Sequence, residues 1–450
     1  MVEVGKNQTP SDSNNVRWES SANTMTAQPL NEPILGYSPG SPERNSIIQE
    51  IDRQMSETIE IPCIINGEEV FTGHTIPQVI PHNHGHILAN VHLAGRKEME
   101  SACSAAVNAQ RSWIEMGLEE RCKIFEKCAD LLAGDWRMRV NASTMLNQSK
   151  TVFQAEIDSA CELIDFWRFN CHYARGFHDD FQPLVSPEGV VNSTDIRPLE
   201  GFVLSITPFN FTSIAANLPS APAIVGCTSV WKPSRNSYYS NYYLMKLMME
   251  AGLPPGVINF LPGSGAEITE VALSNPNFAG LHFTGSTATF QGLWQEIGLA
   301  LPKLNSYPRI VGETGGKDFV VAHPDCDRRG LVVALLRGAF EYQGQKCSAA
   351  SRAYIPRSVW EEISDELYDE IGKIAMGDAR DFTNFMTAVI DKRAFDKISG
   401  YIQRATERDS CEVFCGGGYD DTVGFFIEPT IILTDDPNSE SMIEEIFGPV

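Results

Sequence analysis

The chain has 450 residues, 42% hydrophobic and 21% charged, which is enough for two or three domains with cores of their own. Its formal charge of −23 and isoelectric point near 4.8 argue against nucleic acid or an anionic membrane surface as the main partner. No apolar run reaches the roughly 18–20 residues that span a bilayer, so no membrane segment is expected.

The first 30 or so residues are polar, lack periodicity and read as a disordered arm. They contain no apolar secretory stretch, and Glu3 and Glu19 beside a single early Arg17 are a weak match to a mitochondrial presequence. Residues 44–60 read as a short charged helix, and residues 61–94 alternate β-branched and turn residues as hairpins do. Apolar residues at helical spacing run from Arg96 to about Gly134, and a long helix is expected from about Thr151 to Phe177. Residues 183–202, punctuated by Pro and Gly, read as a projecting hairpin.

From residue 202 the pattern becomes regular. GFVLSITPF, TSVWKP, GVINFLPG, AGLHFTGS and RIVGET read as buried strands separated by helical stretches. This alternation predicts a parallel sheet covered by helices, with ligands at the carboxyl ends of the strands. After residue 318 the alternation resumes, with helices near 327–342, 358–373 and 391–407 and a strand near 352–356. The chain stops at EEIFGPV without a capping or turn signal, so a C-terminally truncated fragment is expected.

Eleven scattered cysteines, an odd number in a large chain, do not form a disulfide framework. The nearest pair, Cys411 and Cys415, has no companion pair or histidine cluster, so no metal site is expected. Reduced, mostly buried thiols are expected instead. Cys347 stands out, in EYQGQKCSAASR. A reactive thiol needs thiolate stabilisation, for which Lys346 is adjacent, and Gly344 permits close backbone approach. Taken alone, a cysteine beside a lysine is more often inert.

Other strand ends carry candidate chemistry. FTGS (Phe283–Ser286) ends a strand and opens a helix whose free N–H groups suit a phosphate, although it lacks the G-x-G-x-x-G fingerprint and a plain turn is the simpler reading. Glu313, in VGETGG, can act as a general base through water, or be a solvated loop carboxylate. Lys232, in WKPS, can hold ribose hydroxyls. Asn210, in TPFNF, can donate its amide to a developing oxyanion, or be an ordinary turn residue.

Together and in order, PFNF, WKPS, LPGSG, FTGS, GETGG, GQKCS and EEIFGPV resemble the aldehyde dehydrogenase superfamily. Within it, NEPILGYSPGSPER, QAEIDSACELIDFWRFN, LEGFVLSITPFNFT and FEYQGQKCSAASRAYIP are similar to the delta-1-pyrroline-5-carboxylate dehydrogenase family, from about residue 30 to residue 450. The resemblance implies an α/β fold. A parallel-sheet NAD-binding domain (31–182 and 203–312) would follow an arm (1–30), with an oligomerisation hairpin (183–202) and an incomplete α/β catalytic domain (313–450). It implies NAD-dependent oxidation of L-glutamate γ-semialdehyde to L-glutamate in proline catabolism.

On this sequence the resemblance makes Cys347 the nucleophile, with the Asn210 amide and the Cys347 N–H as oxyanion donors and Glu313 as the base that activates the hydrolytic water. Lys232 and Ser234 would hold the adenosine ribose, Gly285 and Ser286 the pyrophosphate, and Glu445 the nicotinamide ribose, with Thr207 and Thr289 also on the cofactor. Phe211 would flank the substrate chain, Ser348 would contact substrate near the nucleophile, and Glu162 would face its polar end. A homodimer or higher homo-oligomer in the mitochondrial matrix is implied, with a small-molecule substrate and no nucleic-acid or membrane partner. Three features depart from the pattern: Asp318 where Asn is usual, Arg235 where an acidic residue commonly favours NAD over NADP, and the end at FGPV. A dehydrogenase for another semialdehyde, an inactive structural homologue and a cysteine hydrolase are the alternatives. The last needs a histidine partner that none of the nine histidines announces.

Overall fold

A proline in the first turn and a serine before it start the first helix, α1 (Pro42–Met55), where the Ser41 hydroxyl accepts from the Arg44 amide. The computed structural model describes residues 28–450, so the expected N-terminal arm falls almost wholly outside the described residues. Strand β1 (Ile59–Ile61) follows, then β2 (Cys63–Ile65) and β3 (Glu68–Val70), joined at Asn66 and Gly67, both with positive φ as a tight hairpin requires. Next come β4 (Thr75–Ile80) and β5 (Asn83–His92), which form a three-stranded sheet with β1 in the order β1-β5-β4.

Three helices follow, α2 (Arg96–Glu115), α3 (Leu118–Ala133) and α4 (Arg137–Gln148). The long helix expected from Thr151 is continuous but not uniform. After α5 (Val152–Ala155), residues Glu156–Glu162 widen into a π-helical turn before α6 (Leu163–Asp180). Such turns are rare and concentrate at functional sites.

The region expected to alternate does so: β6 (Phe202–Ile206), α7 (Thr212–Ile224), β7 (Thr228–Lys232), α8 (Tyr238–Ala251), β8 (Ile258–Phe260), α9 (Gly265–Ser274), β9 (Phe278–Thr284), α10 (Thr287–Ala300) and β10 (Arg309–Glu313). The sheet order is β10-β9-β6-β7-β8-β2-β3. Its first five strands are parallel, as predicted, and the β2–β3 hairpin adds an antiparallel edge through Ile64 and Phe260. The sheet is therefore mixed.

The remaining chain forms β11 (Phe319–Val321), α11 (Arg328–Phe340), β12 (Arg352–Tyr354), α12 (Arg357–Ile371) and α13 (Lys392–Thr406). Short strands β13 (Cys411–Cys415), β14 (Tyr419–Asp420), β15 (Phe426–Ile427) and β16 (Ile431–Thr434) and a one-turn helix α14 (Glu440–Ile443) follow. Its apolar side chains, among them Val332, Phe340, Ile363, Ile398 and Ile446, form clusters separate from those around the large sheet.

One expectation needs correction. Residues 183–201 form no strand, and only Phe202, the first residue of β6, joins a ladder. The Gln182 side chain bonds both the N–H and the carbonyl of Thr194, and Asn192 donates to the Ser186 hydroxyl. Pro183, Pro187 and Pro198 lack the N–H groups that a ladder between the two arms would use.

Candidate active site

The carboxyl ends of β6, β7, β9 and β10 carry Thr207, Lys232, Gly285 and Glu313, so parallel strand order brings residues far apart in sequence to one edge. Opposite them lies the turn between α11 and β12. Tyr342, Gln343 and Gly344 in this turn have φ of 50°, 55° and 65°. Left-handed backbone costs a non-glycine residue about 1–2 kcal/mol. At Gly344 no alternative residue fits, because a Cβ would stand 2.3 Å from the Gly448 carbonyl oxygen. The strain at Gln343 is held by its buried amide, which donates to the Ser149 and Ala388 carbonyls and the Thr387 hydroxyl and accepts from the Thr387 N–H. Gln345 accepts on its side chain from Ile390 N–H at 2.9 Å.

This turn delivers Cys347, half-buried, with its thiol donating to Glu313 Oε1 at 3.8 Å. Burial, then the Glu313 carboxylate, push the thiol pKa up, and Asp318 adds to the same effect. The expected stabilisation by Lys346 does not occur. Its ammonium pairs with Glu341 at 3.3 Å, because the turn directs it back along the preceding segment. The charge added by Asp318 therefore bears on the Cys347 thiol.

Asn210 is buried in the β6–α7 connection and donates from Nδ2 to the Gln345 carbonyl at 3.0 Å. The amide's other hydrogen remains available for an oxyanion. Phe211, next along, lies on Lys150, whose Nζ is 4.4 Å from the Phe211 ring centre and 4.5 Å from that of Tyr342. Lys150 is fully buried and donates to Asp158 Oδ2 at 2.6 Å. Asp158 also accepts from the N–H groups of Thr212 and Ser213 and from the Ser213 hydroxyl, capping α7. Glu162, one turn further along the π segment, bonds the same hydroxyl at 2.6 Å. Ser348 is exposed beside Cys347.

Glu445 packs on Gly315, where any Cβ would meet its carboxylate at 2.1 Å, and accepts from Gly316 N–H at 3.3 Å. Lys397 holds its backbone carbonyl. Thr207 accepts from the Trp231 indole and donates through its N–H to the Lys232 carbonyl. The Lys232 ammonium has no hydrogen-bond or ion-pair partner among the described residues, and burial lowers its pKa to about 8. It lies 3.9 Å from the Cβ position of Gly265, at the start of α9, where the helix dipole also disfavours a cation. Ser234 caps the turn that follows, with Arg235 exposed beside it. Ser286 caps α10, its hydroxyl accepting from the Thr289 N–H and sharing a hydrogen bond with the Thr289 hydroxyl, which leaves the Thr287 and Ala288 N–H groups next to Gly285 unpaired among the described residues.

An unpaired cation and an open helix N-terminus on one sheet edge suit a ligand with hydroxyls and phosphates, which is the donor and acceptor set of a dinucleotide. Gln343, Gln345, Lys150 and Asp158 are absent from the residues read off the sequence. The only signal was the Q-x-Q ahead of Cys347, since Lys150 and Asp158 belong to no chemical motif.

Comparison with known proteins supplies an independent reading. A family model described as "Aldehyde dehydrogenase family" matches residues 70–450. Delta-1-pyrroline-5-carboxylate dehydrogenase of Agaricus bisporus is 49% identical over 422 residues, covering 93% of this chain and 77% of the relative. The human mitochondrial enzyme of the same name is 42% identical over 436 residues, covering 97% and 77%. The crystal structure of the Mycobacterium tuberculosis Delta-pyrroline-5-carboxylate dehydrogenase bound with NAD is 48% identical. It superposes with a TM-score of 0.91 over 95% of this chain and 79% of that one.

Proposed function

The chain belongs to the aldehyde dehydrogenase family, and we propose on that premise that it oxidises L-glutamate γ-semialdehyde to L-glutamate with NAD, in proline catabolism. The contact between the Cys347 thiol and Glu313 Oε1, 3.8 Å, carries the reading, because it pairs a nucleophile with a base at the edge that faces the cofactor candidates. In this arrangement Cys347 loses its proton to solvent and attacks the aldehyde carbon as the thiolate, and Glu313 stays ionised, so that it is free to act later on water. The free hydrogen of Asn210 Nδ2 and the Cys347 N–H then stabilise the oxyanion.

NAD, when bound, supplies the hydride acceptor. Lys232 and Ser234 would hold its adenosine ribose, Gly285, Ser286 and Thr289 its pyrophosphate, Glu445 its nicotinamide ribose, and Thr207 would touch it through backbone. Glu313 then deprotonates the water that releases the acyl group from Cys347. The direct contact with sulfur leaves no room for that water, so Glu313 has to swing away from Cys347 first. Phe211 and Ser348 would line the substrate chain, and Glu162 its amino-acid end.

We assign cofactor binding to residues 31–182 and 203–312 and catalysis to residues 313–450. Residues 183–202 expose Leu184, Val185 and Val191, which favours their use between subunits of a homodimer or larger homo-oligomer. Relatives from Dictyostelium discoideum and human are named mitochondrial, which supports a place in the mitochondrial matrix.

The test is NADH formation from a panel of aldehydes, with Cys347→Ala beside the wild type. The expected result is turnover of glutamate semialdehyde that Cys347→Ala abolishes while NAD binding persists. NADH from succinic but not glutamate semialdehyde would overturn the substrate. Turnover by Cys347→Ala near wild type would overturn the nucleophile.

A further inference from the structure

Ser213 has one hydroxyl hydrogen and two carboxyl neighbours. Its Oγ lies 2.8 Å from Asp158 Oδ1 and 2.6 Å from Glu162 Oε2. Two carboxylates cannot both accept the same hydrogen at these distances, so one contact requires a second proton. The donors already present decide where it sits. Asp158 receives Lys150 Nζ, Thr212 N–H, Ser213 N–H and the Ser213 hydroxyl across its two oxygens. Glu162 has Ser213 as its only hydrogen-bond partner among the described residues.

We propose that Glu162 is a protonated, neutral carboxyl in the resting protein, donating from Oε2 to Ser213 Oγ, which donates in turn to the Asp158 carboxylate. The Lys150–Asp158–Ser213–Glu162 chain then runs from a buried ammonium to an uncharged acid, and the outer oxygen of Glu162 serves as an uncharged acceptor. The charged groups around Glu162 agree with this. Asp158 opposes its ionisation from the same π segment. Lys150, before α5, is already paired with Asp158, and Lys346, on the Cys347 turn, is paired with Glu341. Burial and then Asp158 raise the carboxyl pKa, against the opposing effects of Ser213 and the two lysines. The two acids stand four residues apart on the π turn, and this spacing lets both reach Ser213.

The role in catalysis rests on the function proposed above. Glutamate semialdehyde carries a carboxylate and an amino group at the end away from the aldehyde. A neutral Glu162 accepts from the amino group without repelling the carboxylate, whereas an ionised Glu162 would repel it. Glu162 thereby becomes a determinant of amino-acid aldehydes over plain aldehydes.

Infrared difference spectra of the apo-protein, wild type minus Glu162→Gln, test the protonation without substrate. The expected result is a protonated-carboxyl carbonyl band that shifts in D2O and is lost in the variant. A difference containing only carboxylate bands overturns the proposal. Kinetics test the role. Glutamine reproduces the donor and the neutral acceptor, so Glu162→Gln should exceed Glu162→Ala in kcat/KM for glutamate semialdehyde by about tenfold. Equal losses in the two variants overturn the neutral acid as the functional form. If wild type fails to turn over this substrate at all, the substrate reading falls while the spectrum still decides the protonation.

Discussion

Asn210 donates from its side-chain amide to the backbone carbonyl of Gln345 at 3.0 Å, across 135 residues of sequence. That single bond ties the connection after β6 to the turn that presents Cys347. It also orients the amide, since one hydrogen is spent on Gln345 and the other has no hydrogen-bond partner among the described residues. A donor held before reaction begins needs no reorganisation when charge develops.

Replacing Asn210 by Ala removes that donor and leaves the Gln345 carbonyl unpaired. We expect kcat to fall by about 10²–10³, with NAD affinity changed far less. Steady-state NADH production together with an NAD titration checks this. A loss of kcat below tenfold would remove Asn210 from the oxyanion role.

The thiol of Cys347 has a raised pKa because it is partly buried and faces the Glu313 carboxylate. Its thiolate fraction at neutral pH is therefore small and grows as pH rises. Glu313→Gln removes the repelling charge, lowers the thiol pKa and should speed alkylation by iodoacetamide at neutral pH by roughly threefold. The same variant should lose turnover, because the base is gone. Slower alkylation in Glu313→Gln would mean that the carboxylate activates the resting thiol instead of repelling its charge.

The Lys232 ammonium has no partner among the described residues, and desolvation lowers its pKa to about 8. The unfolded chain holds this proton up to the ordinary lysine range, so folded stability should rise as pH increases from about 8 toward 10.5. Lys232→Met should flatten that rise, leave the apo-protein at least as stable at neutral pH, and weaken NAD binding by about tenfold through loss of hydrogen bonds to the ribose. Thermal melts across pH and a fluorescence titration report the two effects separately. Unchanged NAD affinity would exclude Lys232 from the cofactor site.

Lys150 and Asp158 form a fully buried ion pair at 2.6 Å. Lys150→Met leaves the Asp158 carboxylate buried without its cation and should cost about 3–5 kcal/mol of stability. Adding Asp158→Asn should restore a large part of it, measured by chemical denaturation. Equal stabilities of the single and double variants would show that the pair is not coupled.

Much of this protein was legible before any coordinates. The βα alternation from residue 202 onward announced a parallel sheet, because strands buried on both faces read as continuous apolar runs between amphipathic helices. Strand ends are where such sheets bind ligands, so Lys232, Ser286 and Glu313 could be singled out from position alone. The residues 183–202 went the other way. Extended, turn-rich sequence suggested a hairpin, yet the prolines withhold the N–H groups that paired strands need.

The sequence by itself determined the order of the elements, the reactive side chains available and their chemical types, because these follow from periodicity and from motifs with short spacing. Only the tertiary structure decided how those side chains act on one another. It paired Lys346 with Glu341 instead of Cys347, spent half of the Asn210 amide on Gln345, and enclosed Lys150 between Phe211 and Tyr342. The physical reason is that charge effects and hydrogen bonds depend on distance and burial over a few ångströms. Those distances are set by strained turns and packed helices that bring together residues as far apart in sequence as Asn210 and Gln345.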